Sequence, residues 1–287
     1  MDLRRRSATR LSGIQPKLPV HLEGPGGKAT LALGDLATTT THILKLPSPD
    51  FPQIVENEWA VMELAHRVGQ PVPAVRQVVF QEGSLLRSPA LLVERFDLPQ
   101  SLDDPRQLLL LEDAASLMGI SREEKYDPSH ERIFDALRDS GVLEQDFATY
   151  FDQIAFSWLV GNGHLHAKNI SVIHQVEPGR LGSSPRKTGV RYASWYDLVC
   201  TRLVIRDDLF ALTLNGRRNR LRAGDFVALA RRWGWARADV MERLEALTEH
   251  VRETISEVLP LSGLANDRQD QFQRLIAVNG DLLLRGR

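Results

Sequence analysis

The sequence predicts an α+β protein built as two lobes, a β-rich part over residues 1–98 and a mainly helical part over residues 99–287. Short apolar stretches punctuated by Gly and Pro come first, and longer stretches with apolar residues three and four apart follow. Residues 90–96, an apolar run that turns polar at its end, mark the junction. A chain of 287 residues is long enough for two such lobes with cores of ordinary size.

Strands are expected over residues 18–23 and 28–33, joined by Gly24-Pro25-Gly26-Gly27, whose glycines tolerate the dihedrals of a tight turn. A third strand, residues 40–46, ends at Pro47. Residues 56–68 read as a helix with Trp59, Met62, Leu64 and Ala65 among its apolar positions, closed by Gly69 and followed by Pro71 and Pro73. Residues 75–80 and 90–96 complete the small sheet. Beyond it, residues 105–118, 130–139, 144–160, 223–232 and 236–258 carry helical periodicity. Residues 180–188, with Gly182-Ser183-Ser184-Pro185, read as a surface insertion, and Arg232-Trp233-Gly234-Trp235 as a packing turn.

Composition narrows the class of function. With 43% apolar and 25% charged residues and a net charge of -1, the chain has the make-up of a globular protein, and the charge argues against wholesale coating of nucleic acid. The local basic stretch Arg217-Arg218-Asn219-Arg220-Leu221-Arg222 reads first as a solvated loop and second as a contact for an acidic partner or nucleic acid. The one cysteine, Cys200, rules out an intrachain disulfide framework and fits a reducing cytoplasm. No apolar run reaches membrane-spanning length, and the Arg-rich start lacks a signal peptide's apolar core.

Chemistry concentrates in Gly161-Asn162-Gly163-His164-Leu165-His166-Ala167-Lys168-Asn169, set between apolar segments. Polar groups placed there need partners or a task. His164 and Asn169 stand five residues apart, the interval between the substrate-orienting aspartate and the metal-binding asparagine of a kinase catalytic loop. Asn169 and Asp197, the latter in Ser194-Trp195-Tyr196-Asp197-Leu198, are oxygen donors suited to Mg2+. Lys168 can neutralise charge on a transferred phosphoryl group, and His166 can organise the loop or take part in chemistry directly. A zinc site on His164 and His166 lacks a third ligand.

Neither GxGxxG nor a Walker motif is present. The phosphate-loop candidate is Ser12-Gly13-Ile14-Gln15-Pro16-Lys17: Gly13 permits close backbone approach, Ser12 and Gln15 can hydrogen-bond, and Lys17 carries charge. Lys45, at the end of the apolar run His42-Ile43-Leu44-Lys45, is placed to meet α- and β-phosphates, with Glu56 or Glu58 as its carboxylate partner. Glu94-Arg95-Phe96-Asp97 would supply the adenine-side hinge, with Phe96 covering the base.

These motifs, in this order, resemble those of the HipA family of serine/threonine kinases, the toxin components of bacterial toxin-antitoxin systems. The resemblance covers most of the chain, through residues 12–17, 41–45, 93–97, 161–169 and 196–198. It implies a protein-kinase-like bilobal fold, ATP and Mg2+ as cofactors, and a protein serine, in this family on an aminoacyl-tRNA synthetase, as phosphoryl acceptor. Restraint by a HipB-like DNA-binding antitoxin is implied as well. Because the sequence opens almost at the phosphate loop, it resembles most the short HipT-like form of tripartite HipBST systems, with a HipS-like small protein as an expected partner. Family members autophosphorylate in that loop, where Ser12 matches one acceptor position and Arg10 replaces another. His164 occupies the place of the family's catalytic aspartate, which implies impaired catalysis or a nucleotide-binding pseudokinase.

Overall fold

The structure, a computed structural model, describes residues 15–22, 29–31, 40–79, 89–98, 108–177 and 186–285. Its first part is a five-stranded antiparallel sheet in the order β2-β1-β3-β5-β4, where β1 is Lys17–Leu22, β2 Ala29–Leu31, β3 His42–Lys45, β4 Val75–Val78 and β5 Ala90–Glu94. Helix α1, Ile54–Arg67, crosses one face. Its Ile54 and Val55 bury with Leu91 and Val93 of β5 and with Val199, two residues beyond Asp197, so the sheet's small core already reaches the loop that carries chemistry.

Lys17 is the first residue of β1 and stands directly across from Lys45 of β3. Two like charges at facing positions repel, so this register demands a carboxylate between them.

The second part centres on helix α4, Glu144–Leu159, whose residues from Tyr150 to Leu159 are all buried. A helix apolar around most of its circumference belongs inside a bundle, and α4 packs with α5 (Ala223–Ala230), α6 (Arg237–Val258) and α7 (Asn266–Leu284). Helix α3, His130–Asp139, is capped by the Ser129 side chain, which accepts from Arg132 N at 3.3 Å. Ala60, Val61, Met62, Leu64 and Ala65 of α1, with Val68 just beyond it, contribute apolar side chains to this same large core. No described helix is long and apolar enough to cross a membrane.

Three readings of the sequence need correction. The expected helix over residues 105–118 is strand β6, Leu108–Asp113, followed by the short helix α2, Ala114–Leu117. Four consecutive leucines carry no decisive period, and antiparallel pairing with β7, Ser171–Glu177, decides for the strand. Strand β8, Arg186–Tyr192, joins them in a three-stranded sheet, so of the expected insertion over residues 180–188 the end is strand, with Arg186 and Lys187 paired to Glu177 and Val176 and Thr188 at a bulge, while residues 180–185 lie outside the described residues. Helix α7 has no counterpart among the expected elements; its polar surface residues dilute the apolar spacing of Phe272, Ile276 and Leu283.

Candidate functional site

The catalytic-looking loop begins where α4 ends. Gly161, at φ 67°, turns the chain out of the helix in a conformation that favours glycine. Thr201 holds the turn, its hydroxyl donating to Gly161 O at 3.1 Å and accepting from Gly163 N at 2.8 Å. Gly163 is dictated by space, because a Cβ there would lie 2.1 Å from Asp208 Oδ2 and 2.7 Å from Leu209 O.

The next residues are fixed by the loop's own side chains. Asn162 Oδ1 accepts from His164 N at 2.9 Å, and Asn169 Nδ2 donates to His164 O at 3.0 Å. Asn169 ends a short 3-10 turn, Ala167–Asn169, and its amide oxygen is left available as a donor to a metal. The Ser171 hydroxyl donates to Tyr196 Oη at 2.6 Å, and Tyr196 Oη donates to Lys168 O at 2.8 Å. The tyrosine ring also stacks on Phe96, with centroids 5.5 Å apart.

Lys45, 4% exposed, is ion-paired with both Glu58 of α1 and Asp197. Of the two glutamates expected near it, Glu58 is therefore the partner. Lys17 Nζ reaches Asp197 Oδ2 at 3.0 Å. Burial alone would depress the Lys45 ammonium, but the carboxylates of Asp197 and Glu58 outweigh it and hold its pKa above the ordinary lysine value. Burial would likewise raise Asp197; Lys45, Lys17 and His164 overcome it and keep the carboxyl ionised far below its usual range. Asp197 adopts φ 54°, a sparsely populated conformation for a non-glycine residue, maintained by these pairs.

Asn57, beside Glu58 on α1 and fully buried, ties the helix to the same loop. Its Nδ2 donates to Cys200 O at 2.9 Å and its Oδ1 accepts from Cys200 N at 2.9 Å. Helix α1 thus grips both Lys45 and the backbone after Asp197.

A cavity of about 360 Å³ opens over these groups, lined among others by Gln15, Lys17, Glu58, His164, Lys168 and Asp197. Asn169 and His166 complete its polar wall. Burial, reinforced by Lys17, Lys125 and Lys45 against the opposing Asp197 charge, lowers the His164 pKa to about 4. Burial, the neighbouring His164 and Lys125 lower that of His166 to about 2. Both imidazoles are neutral at physiological pH, and their rings lie 4.7 Å apart. Neither ring nitrogen of His166 has a hydrogen-bond partner, and buried Gln15 Nε2 also lacks one, as expected of groups that await a polar ligand.

The structure thus gathers Gln15, Lys17, His164, His166, Lys168, Asn169 and Asp197 around one cavity, with Lys45 tied to two of its wall residues. Lys168 lines it but is engaged by Asp113, the N-cap of α2, at 2.5 Å, which offsets part of its charge. Glu94 and Phe96 lie outside the lining, Phe96 being linked to it through Tyr196. The N–H groups of Glu94 and Arg95 are taken by Ala74 O and Thr41 O, both at 2.9 Å. Ser12 and Gly13 lie outside the described residues. Arg122 and Lys125 line the cavity without having stood out in the sequence; in Ser121-Arg122-Glu123-Glu124-Lys125 they read as an ordinary solvated run. Asn57 is equally silent, since an asparagine inside a helix carries no period.

A sheet with a buried lysine, a helix supplying its glutamate and a helical part supplying Asn and Asp at one cleft define a kinase-like fold. The chain belongs to the HipA-like C-terminal domain family, which matches residues 9–258. Among solved structures it is similar to HipA in the Shewanella oneidensis toxin-antitoxin complex of HipA, HipB and operator DNA, with TM-score 0.72, 22% identity, 95% of this chain covered and 64% of that one. It is also similar to the Helicobacter pylori proinflammatory kinase CtkA, with TM-score 0.58, 12% identity, and 91% and 93% covered. Two Sinorhizobium fredii proteins whose names carry provisional kinase assignments are related in sequence. Y4dM is 30% identical over 171 residues, 57% of this chain and 40% of that protein. Y4mE is 32% identical over 197 residues, 67% of this chain and 42% of that protein. The chain therefore spans about two fifths of the length of these relatives.

Proposed function

We propose that this chain is a HipA-like protein kinase, binding ATP and Mg2+ between a residue 1–98 lobe and a residue 99–287 lobe, and built to transfer the γ-phosphoryl group to a serine of a cytosolic translation protein. The observation that carries this reading is the buried Lys45, paired at once with Glu58 and Asp197 on the wall of the cavity that holds His164 and Asn169.

The residues fit the proposed ligands. Asp197 is a fully ionised carboxylate and Asn169 offers an amide oxygen, both hard donors of the kind Mg2+ takes. Asp197 is already paired with the ammonium groups of Lys17 and Lys45, so cations reach its carboxylate from two sides. Bound there, the metal would neutralise charge on phosphate oxygens. Lys45 and Lys17 would hold those oxygens, Gln15 would add a hydrogen bond, and the segment of Glu94 and Phe96 would meet the base. Ser12 and Gly13 are assigned to the phosphates by the family resemblance alone, and Ser12 is the proposed autophosphorylation site.

His164 stands where the hydroxyl of the acceptor serine would be oriented. One nitrogen of its neutral ring can accept that hydrogen bond, but it offers neither a second acceptor nor a negative charge. The chain accordingly transfers phosphoryl groups to serine poorly. Loss of a positioned acid or base costs about 10² to 10⁴ in rate, so His164→Asp should raise incorporation of radiolabel from ATP into serine by a factor in that range. Equal rates in the two forms would refute the role given to residue 164.

His164 also supports a second reading, that of a pseudokinase binding nucleotide as an interaction module. ATP binding without turnover in either form would favour it. The similarity to a HipA seen with HipB and operator DNA supports a HipB-like partner. The family resemblance extends the proposal to a HipS-like small protein and to an aminoacyl-tRNA synthetase as substrate.

A further inference from the structure

We propose that His164 is itself a phosphoryl acceptor, its ring taking the γ-phosphoryl group of a nucleoside triphosphate to form a phosphohistidine. This rests on the nucleotide reading of the cleft given above, and goes beyond it by assigning the chain an activity of its own.

Placement comes first. His164 is only 8% exposed, and what it exposes faces the cavity shared with Lys17, Lys168, Asn169 and Asp197. Its backbone is pinned on both sides, at N by Asn162 and at O by Asn169. The backbone that carries the imidazole is therefore held in a fixed relation to Asn169, and the ring lines the same cavity as Lys17 and Asp197. A carboxylate in that place orients a hydroxyl; an imidazole is a nucleophile in its own right. The substitution changes the kind of chemistry available as well as its rate.

The surroundings suit the product. Phe51, Ile54 and Val199 give the cavity an apolar side. His166, whose two ring nitrogens lack partners, lies 4.7 Å away centroid to centroid and offers a hydrogen-bond acceptor to the N–H that His164 keeps while the N–P bond forms.

The step balances without redox chemistry. A lone pair on one ring nitrogen forms the N–P bond, and the bond from the γ-phosphorus to the bridging oxygen breaks with its electrons passing to the nucleoside diphosphate. The proton on the other ring nitrogen is afterwards released to water.

The test uses the full chain, γ-labelled ATP and magnesium chloride, with nucleotide affinity measured by calorimetry on the same preparation. The expected result is label that resists alkali and is lost in acid, mapped to His164 by mass spectrometry at neutral pH. His164→Asn should lose about tenfold or more of that label while binding ATP within about threefold of the parent; its circular dichroism spectrum verifies folding, and His164→Gln serves the same purpose if the Asn variant fails to fold. ATP bound without acid-labile label overturns the proposal and leaves the nucleotide reading standing, as does label confined to serine. Absence of ATP binding in the parent chain overturns both.

Discussion

Lys17 and Lys45 face each other across β1 and β3, and Asp197 is the charge that makes this pairing tolerable. Removing a functional carboxylate often leaves a protein more stable, because a strained or repulsive site relaxes. Here the opposite is expected. Asp197→Asn leaves a buried ammonium with one partner instead of two and should lower unfolding stability by about 2 kcal/mol, read from the urea midpoint at unchanged slope. A rise in stability would mean that the lysines are indifferent to Asp197. Gly163 makes a second claim at this scale. The Cβ of Gly163→Ala would overlap the Leu209 carbonyl oxygen, which is backbone and has little room to yield. Overpacking of this kind costs about 1 to 3 kcal/mol, and a thermal melt within experimental error of the parent would contradict the close approach.

Among the elements, α1 decides how the cleft is assembled, since it offers Glu58 to Lys45 and Asn57 to both backbone groups of Cys200. Asn57→Leu keeps the branching of the side chain, adds some bulk, and strands one N–H and one C=O, each worth roughly 1 to 3 kcal/mol when left unpaired. Because Asn57 is fully buried, water cannot take over either hydrogen bond. The substitution should therefore destabilise the fold and weaken magnesium-dependent nucleotide binding. Unchanged affinity in a folded Asn57→Leu protein would remove the helix from the account. The elements also separate what was legible in the sequence from what was not. Helices α3, α4 and α6 and all five strands of the first sheet announced themselves through period, flanking Gly and Pro, or alternation. The leucines of β6 did not, because a strand whose partner is remote in sequence is decided by pairing that no local window contains.

At the candidate site the same contrast holds. His164, Asn169 and Asp197 were legible because polar groups stood out against apolar neighbours. Asn57, Asp113, Arg122 and Lys125 were not, because their role arises only when distant segments meet.

Over the whole molecule, burial sets the response to acid. His130 is fully buried beside Tyr150, and burial, with a further contribution from Arg218, lowers its pKa to about 3. In the unfolded chain it titrates near the ordinary histidine value of about 6.5. Below that value the unfolded state binds the proton and the folded state does not, so stability is lost as pH falls from about 6.5 toward about 3. At pH 5 this single group should cost about 2 kcal/mol relative to pH 7.5, and His164 and His166 act in the same direction. Urea unfolding at the two pH values checks the sum, and His130→Phe should flatten the dependence. Equal stability at both values would show that these rings protonate inside the folded protein.

Calorimetric titration with ATP, with and without magnesium, tests the proposed nucleotide and metal site of Lys17, Lys45, Asn169 and Asp197. Saturable binding that magnesium strengthens is expected, weakened by Lys45→Met and made insensitive to magnesium by Asp197→Asn. No detectable binding by the folded parent chain at millimolar ATP with magnesium, or binding that neither substitution changes, would contradict it.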